Sequence, residues 1–245
     1  MTRLLSLIIP AYNEATTIEN NVEIIKNYLG SLNTNYEIII AEDGSVDGTY
    51  KIIRKLVKKS NAIRSLHKKE KLGRGYALKK AFLSSKGNVI GFIDADISAH
   101  PKYLADMVNY TKGYDVVTAS RYAKGSHVER PFIRDLIARV YYWLLRRIFS
   151  CNIYDFQCGL KLFSRTFIEK EIKYIKEKSW AWDTVILIEA IKKGYKIKEV
   201  PIKWIEKKEI SHSASFKRLL SDFFIHGKVI VKLFAKWNLG IKLDV

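Results

Sequence analysis

The chain has 245 residues, of which 48% are hydrophobic, with four prolines, thirteen glycines and two cysteines. This length suits one large domain or two small ones and allows a sizeable core. The composition excludes a disordered or collagen-like chain, and two cysteines cannot form a disulfide scaffold. No apolar run reaches the roughly 18 residues of a membrane span, and the N-terminal apolar run is too short for a signal peptide. We expect a folded intracellular protein.

The net charge is the most extreme feature, since 43 Lys and Arg residues against 25 Asp and Glu residues give +18 at pH 7. This charge favours an anionic partner: nucleic acid, an anionic bilayer surface or a phosphorylated substrate. The alternative is a compositional bias toward Lys and Ile, which would place much of the charge on a solvated surface. Charge alone leaves these alternatives open.

Short apolar strands alternate with helical patterns along the first half of the chain. Strands are predicted at Leu5–Ile9, Glu37–Ala41, Ala62–Leu66, Asn88–Ile93 and Asp115–Ala119, and helices at Thr16–Leu32, from Thr49 through Leu56, after Gly75 and from Pro101. This alternation predicts an α/β fold with a mostly parallel central sheet flanked by helices. Ligands of such sheets bind beyond the carboxyl ends of the strands.

Polar segments follow four of these strands, namely Tyr12–Glu14, Glu42–Asp43, Asp94–Asp96 and Ser120–Arg121. We expect them to converge on one site. In Asp94-Ala-Asp96, two carboxylates at the end of a buried strand would repel each other, and a hard divalent cation that carries a diphosphate would remove that cost. This pattern favours Mg²⁺ or Mn²⁺ as a cofactor, with a simple turn or helix cap as the alternative.

Further motifs extend the pattern through the second half of the chain. They are Ala119–Tyr122, Val128–Ile137, Asp155–Phe163, Trp180–Asp183 and Val200–Trp204. Together with Pro10–Glu14, Glu42–Thr49 and Asp94–Asp96, these segments resemble the GT-A (Rossmann-like) glycosyltransferases of the inverting family 2, and within it the dolichyl-phosphate hexose synthases. The resemblance covers about residues 4 to 220, and the motifs at Asp155–Phe163 and Trp180–Asp183 favour the glucose synthases over the mannose synthases.

The resemblance implies a donor site for a nucleotide sugar, with UDP-glucose favoured and GDP-mannose next. The implied nucleoside-binding residues are Pro10, Tyr12, Asn13, Glu14 and Asp43, and Gly73 lies in a loop under the donor, in which Lys71 or Arg74 is expected to face phosphate oxygens. Asp94 and Asp96 are implied for ribose and metal, with Asp96 the stronger candidate for metal ligation. Ser98 stands where mannose synthases carry a Gln ligand, so water or donor oxygens would complete the metal shell. Helix-cap and Asx-turn roles are the alternatives for Asn13, Glu14 and Asp43.

The implied acceptor is a dolichyl or polyprenyl phosphate, which is already an anion and can attack the anomeric carbon without a general base. Arg121, Arg134 and Lys207 are assigned to acceptor and donor phosphates, and Gln157 to substrate binding. Asp183 is expected either to act as a base toward a hydroxyl acceptor, to orient an Arg, or to cap a helix. The competing functions are transfer to a glycan or other hydroxyl acceptor and, as a minor alternative, nucleic-acid binding.

Two amphipathic helices are predicted, one from Phe132 to Phe149 and one from Phe216 to Trp237, each with basic residues beside an apolar face. Such helices either lie on a bilayer surface or pack on the protein core. We expect a catalytic domain over residues 1–210 and a C-terminal amphipathic extension over residues 211–245. The expected location is cytoplasmic, peripheral on the inner face of the cell membrane.

Overall fold

The computed structural model describes residues 4–32, 34–205 and 216–241. Its strands are β1 (Leu4–Ala11), β2 (Asn35–Asp43), β3 (Ile63–Lys68), β4 (Val89–Ile93), β5 (Val116–Ser120), β6 (His127–Glu129), β7 (Leu160–Ser164), β8 (Ile197–Pro201) and β9 (Lys203–Ile205). The central sheet has the order β3-β2-β1-β4-β7-β5-β8, and β6 pairs with β9 in a small second sheet. All pairings in the central sheet are parallel except those of β7, which runs antiparallel to β4 and β5.

The helices are α1 (Ile18–Gly30), α2 (Thr49–Lys59), α3 (Arg74–Ser84), α4 (Leu104–Tyr110), α5 (Phe132–Phe149), α6 (Arg165–Glu171), α7 (Trp182–Lys192) and α8 (Phe216–Asn238). Short 3₁₀ turns occur at Pro101–Tyr103 and Ile172–Tyr174. The predicted mostly parallel sheet with flanking helices is therefore confirmed.

Successive side chains along each strand point to opposite faces of the sheet and pack into two hydrophobic cores, one on each face. On β1, Leu7 belongs to the core that α1, α2 and α4 cover, whereas Ile8 belongs to the core under α3, α5, α6 and α7. Because both faces are covered, the strands read as continuous apolar runs. The strand order reverses beside β1, since β2 lies on one side of it and β4 on the other. This topological switch point is where α/β sheets bind ligands.

The C-terminal helix α8 packs on the core through one of its faces. Leu233 is 0% exposed and Val229 is also buried, both within the core shared with α5 and α7. The opposite face carries exposed apolar side chains at Phe224 and Val231. Core packing, one of the two alternatives for this helix, is therefore present on one face, and the boundary predicted at residue 210 lies outside the described residues.

Candidate active site

The turns after β1 and β2 are tied together by side chains that bond to backbone amides. Asn13 Oδ1 accepts from the amide of Val46 at 3.0 Å, and the amide of Asn13 donates to Ser45 Oγ at 3.0 Å. The amide of Glu14 donates to Thr49 Oγ1 at 2.8 Å. Asn13 has φ +57°, a left-handed conformation that Asn tolerates better than most residues. Asn13 thus ties the two turns together and does not act as the helix cap that was the alternative for it. Contacts of Asn13 and Glu14 with a nucleoside remain predictions.

Asp43 anchors the glycine loop that precedes α3. Its carboxylate is 4% exposed and accepts from the amides of Leu72 at 2.8 Å and Gly73 at 2.9 Å. Gly73 has φ +106°, and a Cβ there would overlap the carbonyl oxygen of Lys178. Asp43 and Gly73 therefore fix the loop in place, and a hydrogen bond from Asp43 to a base remains a prediction.

Tyr12 projects from the end of β1 beside this loop. Its ring is 38% exposed, and Lys71 Nζ lies 3.7 Å from the ring centroid, which is a cation–π distance. A nucleoside base would contact the other face of the ring or displace Lys71. Pro10 is half-buried and lies opposite Ala41 of β2, so it shapes the end of the strand that leads to Tyr12.

The carboxylates of Asp94 and Asp96 have different surroundings. Asp94 Oδ1 accepts from Arg74 Nη2 at 2.6 Å, and Asp94 Oδ2 lies against Gly159, where a Cβ would collide with it. Asp96 accepts from the amide of Ser98 at 2.9 Å and from Ser98 Oγ at 2.7 Å. Asp94 is therefore held by a cation of the protein, which leaves Asp96 as the carboxylate better suited to ligate a metal.

Three carboxylates crowd this part of the site. Burial is the main cause that raises the pKa of Glu14, and the negative charges of Asp96 and Asp94 raise it further. Burial likewise raises the pKa of Asp94, although the charge of Arg74 counteracts it. Within the described ranges, no group of three or more His, Cys, Asp or Glu side chains is placed to hold a metal. The oxygen donors that Mg²⁺ and Mn²⁺ prefer are present in Asp96, and the repulsion favours a cation.

Arg74 and Asp183 are buried partners. Arg74 Nη1 donates to Asp183 Oδ2 at 2.5 Å, and Lys161 Nζ donates to Asp183 Oδ1 at 3.0 Å. Both terminal nitrogens of Arg74 thus bind carboxylates, and its expected contact with phosphate oxygens remains a prediction. Of the roles considered for Asp183, orienting an Arg is the one that this geometry shows. Sequence reasoning missed Lys161, although a lysine between the apolar residues Leu160 and Leu162 is a signal of a buried ion pair.

Arg121 forms a second buried ion pair at the end of β5. Its Nε and Nη2 donate to Asp155 at 2.7 and 2.9 Å, and Nη2 also donates to Tyr142 Oη at 2.9 Å. The Arg121 side chain is 11% exposed. Burial alone would raise the pKa of Asp155, but Arg121 outweighs it and lowers the pKa below its ordinary value. Through Asp155, Arg121 therefore holds the loop after Tyr154. Direct binding of phosphate by Arg121 remains a prediction.

Gln157 lies in that loop and contacts the C-terminal helix. The backbone amide of Gln157 donates to Asp155 Oδ1 at 3.0 Å, and the side-chain Nε2 lies 2.9 Å from His226 Nε2. The His226 ring also packs on Tyr141, with ring centroids 5.3 Å apart. Sequence reasoning missed His226, because its neighbours in α8 show an amphipathic pattern and nothing local links it to residue 157.

Two acceptor candidates remain, Arg134 and Lys207. Arg134 is half-buried in the first turn of α5, beside Asp135, which accepts from Tyr122 Oη at 2.8 Å. Lys207 lies outside the described residues.

The α5 apolar face, which extends from Phe132 to Leu144 and flanks Arg134, is open to solvent. Phe132 is 75% exposed, and further exposed apolar side chains are Ile133, Leu136, Ile137, Val140, Trp143 and Leu144. Of the helices in the described part of the chain, none has the length and apolarity to cross a bilayer.

The strand order, the single reversed strand and the carboxylates at the switch point define an α/β protein of the GT-A class. Residues 6–171 match the family described as Glycosyl transferase family 2, and the chain belongs to that family. The predicted family is thus confirmed.

Curated relatives are similar over most of this chain. It is 35% identical over 203 residues to glycosyltransferase AglD of Haloferax volcanii, covering 81% of this chain and 32% of that protein. It is 31% identical over 221 residues to dolichyl-phosphate beta-glucosyltransferase of Dictyostelium discoideum, covering 82% and 66%. For the protein of that name in Saccharomyces cerevisiae, identity is 31% over 226 residues, covering 82% and 67%. The chain thus spans about a third of AglD and about two thirds of the two glucosyltransferases.

Solved structures share the fold at low sequence identity. Glucosyl-3-phosphoglycerate synthase from Mycobacterium tuberculosis, in complex with Mn²⁺, UDP and glucosyl-3-phosphoglycerate, has a TM-score of 0.65 and 20% identity, covering 99% of this chain and 82% of that one. A mannosyltransferase from Pyrobaculum calidifontis, in complex with GDP-Man and Mn²⁺, has a TM-score of 0.61 and 19% identity, covering 100% and 66%. These likenesses establish the fold.

Proposed function

We propose that this chain is an inverting, metal-dependent glycosyltransferase that moves a hexose from a nucleotide sugar to a dolichyl or polyprenyl phosphate. The observation that carries the proposal is the meeting of family 2 motifs at the switch point, where Asp96 lies beside Glu14 and Asp94. Two relatives about a third identical to the chain are dolichyl-phosphate beta-glucosyltransferases, which supports the lipid phosphate as acceptor and favours UDP-glucose, with GDP-mannose next.

On the donor side, Tyr12 would stack on the nucleoside, with Pro10, Asn13, Glu14, Asp43 and Gly73 shaping its pocket. Asp94 would accept from the ribose, and Asp96 would hold Mg²⁺ or Mn²⁺. Both structural neighbours contain Mn²⁺, and another complex of the M. tuberculosis synthase contains Mg²⁺. When bound, the cation would stabilise the negative charge that develops on the departing diphosphate.

On the acceptor side, an oxygen of the lipid phosphate attacks the anomeric carbon as the bond from that carbon to the donor diphosphate breaks, and the nucleoside diphosphate leaves with the electron pair. No proton has to be removed from the nucleophile. This step fits the state of Asp183, the residue considered as a base, because both its oxygens are engaged by Arg74 and Lys161 and it is 3% exposed. Arg121, Arg134 and Lys207 are proposed to bind the acceptor and donor phosphates. Gln157 is proposed to contact substrate, and Arg121 also supports the loop of Gln157 through Asp155.

The lipid acceptor would be reached from a bilayer surface. The α5 apolar face begins beside Arg134, and Arg139, Arg146 and Arg147 lie along the same helix. Exposed apolar residues with basic neighbours are typical of helices at a lipid headgroup layer. We propose peripheral association with the cytoplasmic face of the membrane, which also accounts for part of the net charge.

Two competing functions, transfer to a hydroxyl acceptor and nucleic-acid binding, fit the observations less well. Transfer to a glycan or other hydroxyl acceptor would require a free carboxylate base, and the engagement of Asp183 disfavours it. Nucleic-acid binding would explain the charge, but the GT-A fold and family 2 motifs provide a more specific explanation for the same chain.

The test is to incubate the protein with labelled UDP-glucose or GDP-mannose, Mg²⁺ or Mn²⁺, and a short polyprenyl phosphate in detergent. We expect label in the organic phase, with the anomeric configuration of the product opposite to that of the donor. Arg134→Ala should raise the acceptor KM at least about tenfold, because a charge-assisted bond is lost. Arg54→Ala, on the exposed surface of α2, is the matched control. No labelled lipid from either donor would contradict the proposal.

A further inference from the structure

Four charged side chains form one row that begins in the candidate donor site and ends in the core; the first is partly exposed, and the other three are buried. The order is Asp94, Arg74, Asp183, Lys161, with contact distances of 2.6, 2.5 and 3.0 Å. Positive and negative groups alternate, so the row is neutral as a whole. We refer to these four residues as the buried charge row.

The inner part of the buried charge row is enclosed by aromatic rings. The guanidinium carbon of Arg74 lies 5.0 Å from the ring centroid of Phe92 and 5.0 Å from that of Trp180. Lys161 is 0% exposed, and its Nζ also donates to the carbonyl oxygen of Cys158 at 2.6 Å. Arg74 thus lies close to two aromatic rings and is bound at both terminal nitrogens by carboxylates, a setting that allows it little freedom of movement.

Stability is a poor explanation for such a row. Replacing a buried ion network with well-packed apolar residues is often neutral or stabilising, because each charge must be desolvated. The row instead ends at the Asp94 carboxylate, in the candidate donor site. Arg74 Nη2 donates to Asp94 Oδ1, and the absence of a side chain at Gly159 leaves room for Asp94 Oδ2. The position of the Asp94 carboxylate is therefore set by the row on one side and by the backbone of the motif at Asp155–Phe163 on the other.

We propose that Arg74, Asp183 and Lys161 are positioning residues that fix the Asp94 carboxylate for binding of the donor nucleotide. Arg74 acts on Asp94 directly, Asp183 acts through Arg74, and Lys161 acts through Asp183. This inference rests on the proposed function, because it takes Asp94 as part of the donor site. It assigns the aspartate of the Trp180–Asp183 motif to the donor side of the reaction, away from acceptor chemistry.

The experiment measures binding of UDP and GDP in the presence of Mn²⁺ by calorimetry, and the KM for donor and acceptor, in the full chain. The variants are Arg74→Met, Arg74→Lys, Asp183→Asn and Lys161→Met. We expect Asp183→Asn and Arg74→Met to weaken nucleotide binding on the order of tenfold or more. Arg74→Met removes the charge-assisted bond that orients Asp94, and Asp183→Asn weakens the bond that holds Arg74 in place. Arg74→Lys should recover part of the loss, and the acceptor KM should stay within about twofold of the wild type in all variants.

The matched control is Glu171→Gln. Glu171 is also a buried carboxylate, paired with Lys193 and bonded to Tyr195 Oη at 2.7 Å, but it lies at the end of α6 and is not part of the row. Glu171→Gln should lower the melting temperature without changing nucleotide affinity. A double variant, Arg74→Met with Asp183→Asn, should bind nucleotide no more weakly than the worse single variant, because the two residues act in series.

The outcomes separate the two proposals. If the wild type binds neither UDP nor GDP, the proposed function fails and the inference fails with it. If the wild type binds a nucleotide and folded Asp183→Asn and Arg74→Met bind it equally well, the positioning role is overturned while the proposed function stands. Should Asp183→Asn not fold, Arg74→Lys and Arg74→Met decide, and equal affinity in those two variants and the wild type would also overturn the role.

Discussion

Replacing Gly159 by alanine would displace Asp94 without altering any residue of the candidate site chemically. A Cβ at Gly159 would lie closer than 3.0 Å to both Oδ2 and Cγ of Asp94, a separation that real Cβ atoms essentially never show. Asp94 cannot rotate away freely, because Arg74 Nη2 holds Oδ1 at 2.6 Å and the amide of Asp94 donates to the carbonyl oxygen of Gly159 at 2.9 Å. Either the carboxylate or the strand must move.

A misplacement of about 1 Å at a reacting group can reduce a rate on the order of a hundredfold, and disturbing the bond from Arg74 costs roughly 1.5–3 kcal/mol. We therefore expect Gly159→Ala to reduce kcat/KM for the donor by about tenfold to a hundredfold. The assay is transfer of labelled sugar with the donor concentration varied, together with thermal unfolding of the same preparation.

The control is Gly113→Ala, because a Cβ at Gly113 meets nothing within 4 Å and its backbone is not left-handed. It should leave both donor kinetics and melting temperature unchanged. A folded Gly159→Ala variant with wild-type kcat/KM would refute the reasoning that the position of Asp94 limits donor use.

Three further predictions address the metal, the C-terminal helix and acid stability. Asp96→Asn should reduce transfer at least about a hundredfold, because it removes the proposed metal ligand. The fold should be retained, because Asp96 is only half-buried. Wild-type activity would refute the metal assignment. Leu233→Ala should lower the free energy of unfolding by about 2–5 kcal/mol, against less than about 0.5 kcal/mol for the exposed Val231→Ala, and equal effects in denaturant titrations would contradict core packing of α8. Because the pKa of Asp155 is lowered below its ordinary 3.8, its pairing with Arg121 stabilises the fold fully above that pH, and the contribution is lost as the pH falls through the folded-state pKa. As the pH is lowered below 3.8, the melting temperature of the double variant Arg121→Met with Asp155→Asn should therefore fall less steeply than that of the wild type. Equal slopes of melting temperature against pH would contradict this.

The parallel strands and their ends could be predicted from sequence because their signals are local. An apolar run such as Leu5–Ile9 followed by a polar turn identifies both a buried strand and the edge of the sheet where it ends. The antiparallel insertion of β7 between β4 and β5 could not be predicted, because strand direction depends on pairing between distant segments. The motif that contains β7 was recognised, but its place in the sheet was not.

The partners of the charged residues were the least predictable part of the site. Arg74 pairs with Asp183 over a separation of 109 residues, and Gln157 contacts His226 over 69. A sequence shows which residues are charged but not which of them face each other, so Arg74 and Arg121 were both expected at phosphates. Burial explains why both arginines pair with carboxylates, since a buried guanidinium needs a carboxylate partner, which the fold supplies from elsewhere in the chain.

The central claim is that the acceptor is an already ionised lipid phosphate, so that transfer needs no general base. The most direct measurement compares polyprenyl phosphate with the polyprenol of the same chain length as acceptors for the wild-type protein, with the donor that it uses. We predict sugar transfer to the phosphate and none above background to the alcohol. Transfer to polyprenol at a comparable rate would contradict the claim, because a hydroxyl acceptor requires a base that Asp183, bound by Arg74 and Lys161, is not free to provide.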